Sequence, residues 1–585
     1  MFIKRLYTAV LLRGALLISE YERKYRNILW ALCVCSLCFM QTGNAETLRE
    51  RVCVQTDKPL YLSGELLWMK MFTTDADGKP LDLSKVGYVE LLDEAIPRVQ
   101  AKLELKDGVG EGSVVLPVSL PTGNYRLVAY TRYMQNEGEV VYFNKVIPVV
   151  NTFGMDNTVT LSEDTLAVQP GSFRAISNKI TVSPDNTTYQ TRSAGEIRLE
   201  NIPSDIHTLS VSIAGRESMA EYSSTGIQQW EQQMDGYPQP SFDVKLTPEM
   251  EGHVLRGKLI DLSTNEPAKL DGYVPVTLLG FVGNRIRIFS GQVDVRDASV
   301  AFYTKHVSGT HEIATTAITP LVEKYRVDIQ SPFITHTDRQ LPAIEWNPAW
   351  NRELLKRSMG LQVLQSYRGD SLSVIKGVDA LLQWKPDWRY LLDEYTRFAT
   401  MGEVVTEFIP GLRFKRIGDR RVLSVLTEER TGYTDDNSLV LLDGIPVADH
   451  ELLYNYNPLL IEEICIYRGK YQFGGVQFDG IATFKTYGND YQELTVSNAT
   501  QLFDYEGTQA PRYFYTPSYA TEQEKNTRMP DYRHTLLWEP RVKTEGNAAV
   551  IPFTTSDLKG EYVVTVEGLT KNGEAISGTS LIKVE

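Results

Sequence analysis

Few residues in this sequence have types and spacing that could do chemistry. His306 and His311 lie five apart, which in a regular strand puts them on opposite faces and away from a shared metal. Asp435-Asp436-Asn437 is an oxygen-rich stretch of the kind that suits calcium, but it reads as a solvated turn. Asp443 could serve as an acid, but Gly444 behind it and Pro446 beyond make the segment a turn. Cys53 and Cys465 each stand between apolar neighbours (Val52 and Val54, Ile464 and Ile466) and read as buried strand thiols rather than as a disulfide or a nucleophile. The sequence contains no Gly-x-x-x-x-Gly-Lys-Ser/Thr loop, Gly-x-Ser-x-Gly elbow or His-Glu-x-x-His helix, and His311-Glu312 lacks the second histidine. The densest basic group is Arg413, Lys415, Arg416, Arg420 and Arg421 around Gly418-Asp419. It suits the polar edge of a hairpin, or a patch for an acidic partner or anionic head groups. Tyr505, Tyr513, Phe514, Tyr515, Pro517 and Tyr519 form an aromatic tract that is either a covering strap or a partner surface.

Composition narrows the classes. The chain has 585 residues, 74 Asp+Glu against 60 Lys+Arg and a net charge of −14, which argues against neutralising nucleic-acid phosphates. Its hydrophobic fraction of 42% and aromatic fraction of 10% exclude a disordered chain, and five cysteines exclude a disulfide-rich scaffold. No metal or other cofactor is expected. Arg23, Lys24 and Arg26 precede the apolar run Ile28–Met40, and Gly43-Asn44-Ala45 offers small residues for cleavage. Residues 1–45 are therefore expected to be a signal peptide with an N-terminal extension. Cleavage or retention as an anchor are both open. Cleavage would leave a more acidic chain with Cys53 and Cys465 alone.

The elements that must position these residues are mostly strands. Period-two runs such as Arg51–Gln55 and Leu66–Lys70 are separated by Asp75-Ala-Asp-Gly78, Lys106-Asp-Gly108 and Pro121-Thr-Gly-Asn124, which predicts an antiparallel sandwich over 46–152. In its late strand Tyr125, Leu127 and Ala129 share a face. A second sandwich is expected over 153–250, with a loop or short helix in 218–240, and another small β-domain over 251–345. Leucines at helical spacing predict a helical connector over 346–394. A mixed α+β unit over 395–490, a strap or linker over 491–530 and a C-terminal β-domain over 531–585 complete a mainly β, multidomain chain.

Three stretches resemble known families. Val54-Gln-Thr-Asp-Lys-Pro-Leu-Tyr-Leu-Ser-Gly-Glu-Leu-Leu-Trp-Met-Lys70 resembles the opening of the macroglobulin-type, immunoglobulin-like sandwich. There Pro59 closes a strand, Gly64 makes the turn and Trp68 is expected to fill the core. Neither cysteine stands in a Cys-Gly-Glu-Gln thioester, so covalent protease trapping is not implied. His253–Ala314 looks like a carboxypeptidase-regulatory-type domain. Leu439-Val-Leu-Leu-Asp-Gly-Ile-Pro-Val447 with Asn457–Gly469, Tyr471, Gly474-Gly475 and Phe478–Phe484 resembles the plug domain of TonB-dependent outer-membrane receptors. Only 95 residues follow position 490, too few for a barrel of 22 strands of ~10 residues each. The combination is similar to a group of Bacteroidetes envelope proteins. It implies a non-enzymatic exported protein, periplasmic or at the outer membrane. Its plug-like domain would dock to an outer-membrane protein or transporter barrel, or occlude a pore, with Asp443, Gly444, Pro446, Arg413, Lys415, Arg416 and Tyr471 as partner-binding residues. The alternative is a hydrolase whose carboxylates, ~5–10 Å apart, come together only between domains.

Overall fold

The computed structural model describes residues 48–153, 177–219, 226–238, 241–270, 274–282, 286–305, 307–318, 324–367, 384–396, 398–429, 432–473, 475–488, 491, 498–510 and 512–585. The expected leader, His306, Leu381, Leu382 and Gly474 lie outside them. The structure is mainly β and multidomain, with several separate sheets.

The first sandwich faces the antiparallel sheet Arg51–Thr56, Leu66–Thr74 and Val109–Val115 with a five-stranded sheet. That second sheet is ordered Tyr61–Leu62, Phe143–Val150, Gly123–Thr131, Val86–Asp93 and Ile96–Glu104. Gly64 makes the turn between two of the strands at φ +85°. Alternation sends Leu67, Met69 and Met71 inward to a core shared with Tyr125, Leu127 and Ala129. Trp68, Lys70 and Phe72 point the other way, yet all three are buried. Phe72 meets Trp230 of the helix Ile227–Gly236 with ring centroids 5.8 Å apart, and Trp68 meets Phe514 at 5.6 Å. Trp68 is thus no part of the sandwich core expected for it. It lies on the opposite face of its strand, under the aromatic tract.

The second sandwich combines strands from 177–215 with strands from 535–584. Ile206–Gly215 lies between Gly560–Thr570 and Thr535–Glu539, and Ala194–Glu200 pairs with Ala549–Thr554. The sequence reading separates these segments into a second sandwich and a C-terminal domain; strand pairing joins them. The reason is burial: Ile197, Val211 and Ile213 share one core with Leu536, Val564 and Ile576, and neither half covers its apolar face alone.

The third sandwich folds one eight-stranded sheet around its own core: Val254–Asp261, Glu266–Pro267, Val276–Phe281, Ile288–Asp294, Ser299–Tyr303, Thr310–Ile318 and Tyr325–Ile329, with Thr500–Glu506 added beside Thr310–Ile318, so the expected linker over 491–530 contains a strand. From there Gln509 and Phe514 return to the first sandwich, while the carbonyls of Lys525, Thr527 and Met529 accept from Arg192 of the second. Gln509 holds Ser113 from both sides: its Oε1 accepts from the Ser113 N–H at 2.9 Å and its Nε2 donates to the Ser113 carbonyl at 2.9 Å. A second strap carries Phe333, Ile334 and His336 across the five-stranded sheet, where the Ile334 N–H donates to Tyr130 Oη at 3.3 Å. This is why Val128 and Tyr130 are as buried as the face predicted to be inside.

The α+β unit has a sheet ordered Trp388–Leu391, Ile461–Tyr467, Ile481–Thr486, Leu439–Leu442 and Ile445–Pro446. Its first strand precedes the boundary expected at 395. Its helix Met401–Phe408 begins where it does because Thr400 caps it by accepting the Glu403 N–H at 3.3 Å. Among the described residues no helix is long and apolar enough to cross a membrane.

Candidate functional site

The Thr-Asp-Lys-Pro…Tyr…Gly-Glu stretch becomes the floor of an interdomain cluster. Asp57 follows the strand Arg51–Thr56. Its carboxylate accepts from Tyr61 Oη at 2.6 Å, from the Trp68 N–H at 3.1 Å and, across the module boundary, from Thr535 Oγ1 at 2.7 Å. Lys58 Nζ donates to Asp57 at 3.2 Å and lies 3.5 Å from Glu65. The helix Asn351–Tyr367 brings in Arg357. Its guanidinium grips Glu65 in a fork of 2.9 and 2.6 Å, donates to Glu217 at 2.5 Å and reaches the Leu60 carbonyl at 3.0 Å. His534 Nε2 lies 3.4 Å from the other oxygen of Glu217.

Electrostatics decides what these groups can do. Burial alone would raise the carboxyls of Glu65 and Glu217. Arg357, helped by Lys58 at one and His534 at the other, overrules that and holds both at about 2. Burial, with Arg357 nearby, pushes His534 down. The cluster therefore contains fixed ions and a base with little tendency to protonate, and its acids have no proton to give near neutrality. Beside it opens a cleft of about 350 Å³ walled by Trp68, Val115, Leu361, Leu364, Phe514 and Tyr532, the lower end of ligand-pocket sizes. The aromatic tract acts in part as the covering strap: Phe514 covers Trp68, whereas Tyr513 and Tyr515 are 63% and 57% exposed.

The residues singled out from the sequence are only partly brought together. Asp443 and Gly444 have φ of +48° and +84°, as an Asp-Gly hairpin turn requires. The Asp443 carboxylate is buried and accepts from the Thr486 N–H at 2.8 Å and Oγ1 at 2.6 Å. Gly444 packs on Gly280 of the third sandwich, and the Pro446 carbonyl accepts from Thr316 Oγ1 at 3.2 Å. This turn is packed within the chain against the third sandwich, and Asp443 and Gly444 also line a cleft of about 340 Å³. Lys415 donates to the Thr434 carbonyl at 2.7 Å and meets Asp435 at 3.3 Å; Arg420 pairs with Asp436, and Arg421 with Glu451 at 2.8 Å. The acidic stretch read as a solvated turn thus neutralises part of the hairpin Leu412–Ile417/Arg420–Val425. Arg413 and Arg416 remain exposed on it. Tyr471 stacks on Trp384 at 4.9 Å, some way from them in the fold.

Cys53 and Cys465 are free, buried and in strands. Burial, then the bond to Glu463 at 2.9 Å, pushes the Cys465 thiol up to about 12, far from a nucleophile's range. His311 bonds the Ser308 carbonyl at 2.8 Å, and among the described residues no group of three metal-ligating side chains occurs. Sequence reasoning missed Arg357, Glu217 and His534. Arg357 is 292 positions from Glu65 and 140 from Glu217, and nothing local marks it.

No protein-family model matches the chain, and a search of curated proteins returns no match. Among solved structures, Escherichia coli α2-macroglobulin activated by porcine elastase is similar at 9% identity over 92% of this chain and 44% of that chain, with a TM-score of 0.23. Salmonella α2-macroglobulin reacted with methylamine is similar at 10% identity over 92% and 39%, with a TM-score of 0.23. The Escherichia coli adhesin FdeC is similar at 11% identity over 46% and 60%, with a TM-score of 0.15. The chain spans less than half the length of these macroglobulins, and scores this low do not establish a shared fold over the whole chain.

Proposed function

We propose that the chain is a non-enzymatic scaffold of the cell envelope, exported by its leader. Its plug-like unit engages an outer-membrane protein through the hairpin Leu412–Ile417/Arg420–Val425. The observation that carries this reading is the division of labour among the hairpin's cations. Lys415, Arg420 and Arg421 are consumed by Asp435, Asp436 and Glu451, while Arg413, Arg416 and Ile417 stay exposed around a tip where Gly418 meets nothing. Two exposed arginines beside an exposed isoleucine suit an acidic protein surface better than a lipid face. The Asp443-Gly444-Pro446 turn fixes the unit to the third sandwich, so it orients the hairpin instead of touching the partner.

The hydrolase alternative has less support. Glu65 lines one cleft and Asp443 and Glu463 another, and each is held by hydrogen bonds or cations, Arg389 forking Glu463 at 2.6 and 3.1 Å; in a third, Asp93 pairs with Arg98 at 2.7 Å and Glu94 is exposed. None is placed as the proton-sharing acid a glycosidase needs. The test is a crosslinking pull-down from native envelopes with the full chain and with Arg413→Glu/Arg416→Glu. Loss of an outer-membrane protein from the double variant supports the reading. Recovery of the same proteins in equal amount overturns it.

A further inference from the structure

We propose a binding site for an anionic oligosaccharide in the cleft of about 690 Å³ between the first sandwich, the helix Ile227–Gly236 and the 330–346 strap. Its cations are Arg126, Lys145 and Arg339, and no carboxylate lines it, in a chain whose net charge is −14. That is a local reversal of sign, and it selects for a negative ligand. The three cations have different histories. Arg126 is 95% buried; Glu139 at 3.0 Å and the Thr337 carbonyl at 3.3 Å take one terminal nitrogen, and its Nε has no partner. Lys145 donates to Thr56 Oγ1 at 2.9 Å, and burial lowers it to about 8, so it is charged near neutrality. Arg339 is exposed and makes no hydrogen bond or ion pair among the described residues. The charge is therefore spread along the cleft instead of being focused on one point, as a single phosphate would need.

The neutral lining points to hydroxyl groups. Among the described residues Asn144 Oδ1 is buried without a partner and the Gln229 side chain makes no hydrogen bond, so an acceptor and an amide line the cleft with the cations. Tyr237, Pro148 and Val146 supply apolar surface for the C–H faces of sugar rings. An acidic peptide fits less well. The Phe143–Val150 strand borders the cleft, but Gln233 already accepts the Asn144 N–H at 3.3 Å and donates to its carbonyl at 2.5 Å, and Pro148 has no N–H to give. An added peptide strand would find its ladder capped. The volume falls within the ~300–1,000 Å³ of small-ligand pockets and suits a short oligomer.

The experiment is calorimetric titration of the full chain with tetragalacturonate, with a neutral galactose tetramer and with hexaglutamate at low and physiological salt. Saturable binding of tetragalacturonate is expected. It should weaken at least ten-fold with Arg339→Glu and several-fold with Gln229→Ala, both of which change side chains with no partner among the described residues. The neutral sugar should bind at least ten-fold more weakly. Absence of saturable uronate binding, equal affinity in Arg339→Glu, or tighter binding of hexaglutamate each overturns the proposal. Unchanged far-UV dichroism and melting of both variants separate lost binding from lost fold.

Discussion

Two junctions of this molecule bury glutamates to the same degree and reach opposite protonation states. At the first, Glu65 and Glu217 share Arg357 and are held at about 2. At the second, where the first and third sandwiches meet, Glu249 accepts from the Val254 N–H at 2.7 Å and from Tyr88 Oη at 2.9 Å. There burial outweighs those two bonds and the more distant charges of Arg132 and Lys102, and the carboxyl rises to about 7. Around it lie His253, which burial keeps well below its ordinary value and which stacks on Tyr505 at 5.6 Å, and Lys102, lowered to about 8. Depth does not separate the two sites. A guanidinium in direct contact does, because only a hydrogen-bonded cation replaces the hydration an ionised carboxylate loses.

The strongest way to break this contrast is Arg357→Met, which fits the helix but leaves two facing carboxylates without their cation. Removing one partner of a buried ionic cluster costs about 3–5 kcal/mol, so the urea midpoint should fall sharply. The loss should shrink on acidification, since protonating Glu65 and Glu217 then relieves repulsion. A change below about 1 kcal/mol would mean that Arg357 is not what holds the two carboxylates as ions.

The second site should answer to pH with the opposite sign. Glu249 has a folded value above its ordinary 4.5, so its stabilising contribution is full below about 4.5 and is lost as pH rises through about 7. Glu65 and Glu217 are depressed. Their contribution is full above about 4.5 and is lost as pH falls toward about 2. Each pH unit between the ordinary and the folded value of Glu249 corresponds to about 1.4 kcal/mol. Glu249→Gln should therefore stabilise the protein at pH 8 by up to about 3 kcal/mol and should change little at pH 4. Equal effects at both pH values would show that Glu249 is ionised when buried.

What the sequence made legible follows from range. The Asp57-Lys58-Pro59 strand end, the Gly64 turn, the Asp443-Gly444 hairpin and the alternation at Leu67, Met69 and Met71 are local, and all are found where the pattern puts them. What stayed hidden is non-local. Alternation gives Trp68 a face but not what covers that face, and the cover, Phe514, is hundreds of residues away. The strands 194–215 cannot announce that 535–584 complete their sheets, because any strand with an apolar face makes the same demand. The candidate site was half visible: Asp57 and Glu65 lie in a quoted motif, whereas Arg357 is one charged residue in an ordinary helical pattern. The basic hairpin was visible, but its neutralisation by Asp435 and Asp436 was not, since an acidic stretch with no local partner reads as a solvated turn.

A third junction lies between the two extremes, because there the cation itself titrates. His336 comes in on the 330–346 strap and sets Nε2 2.8 Å from Glu90 and Nδ1 3.2 Å from Glu139. Burial would lower the imidazole, but the two glutamates win and raise it. Tyr130 Oη also donates to Glu90 at 2.7 Å, so this carboxylate keeps a neutral donor when the histidine loses its charge. A raised base stabilises the fold fully below its ordinary value of 6.5, and that contribution is lost as pH rises through the higher folded value. His336→Gln retains hydrogen-bonding capacity without charge, so it should cost about 1 kcal/mol at pH 6 and nearly nothing at pH 9. Hydrogen exchange at Ile334 should rise with the substitution at pH 6, because its amide bond to Tyr130 depends on the strap staying down. If the penalty is the same at both pH values, the strap is held by packing of Phe333 and Ile334 alone, and a charged partner matters only where, as at Arg357, it cannot lose its proton.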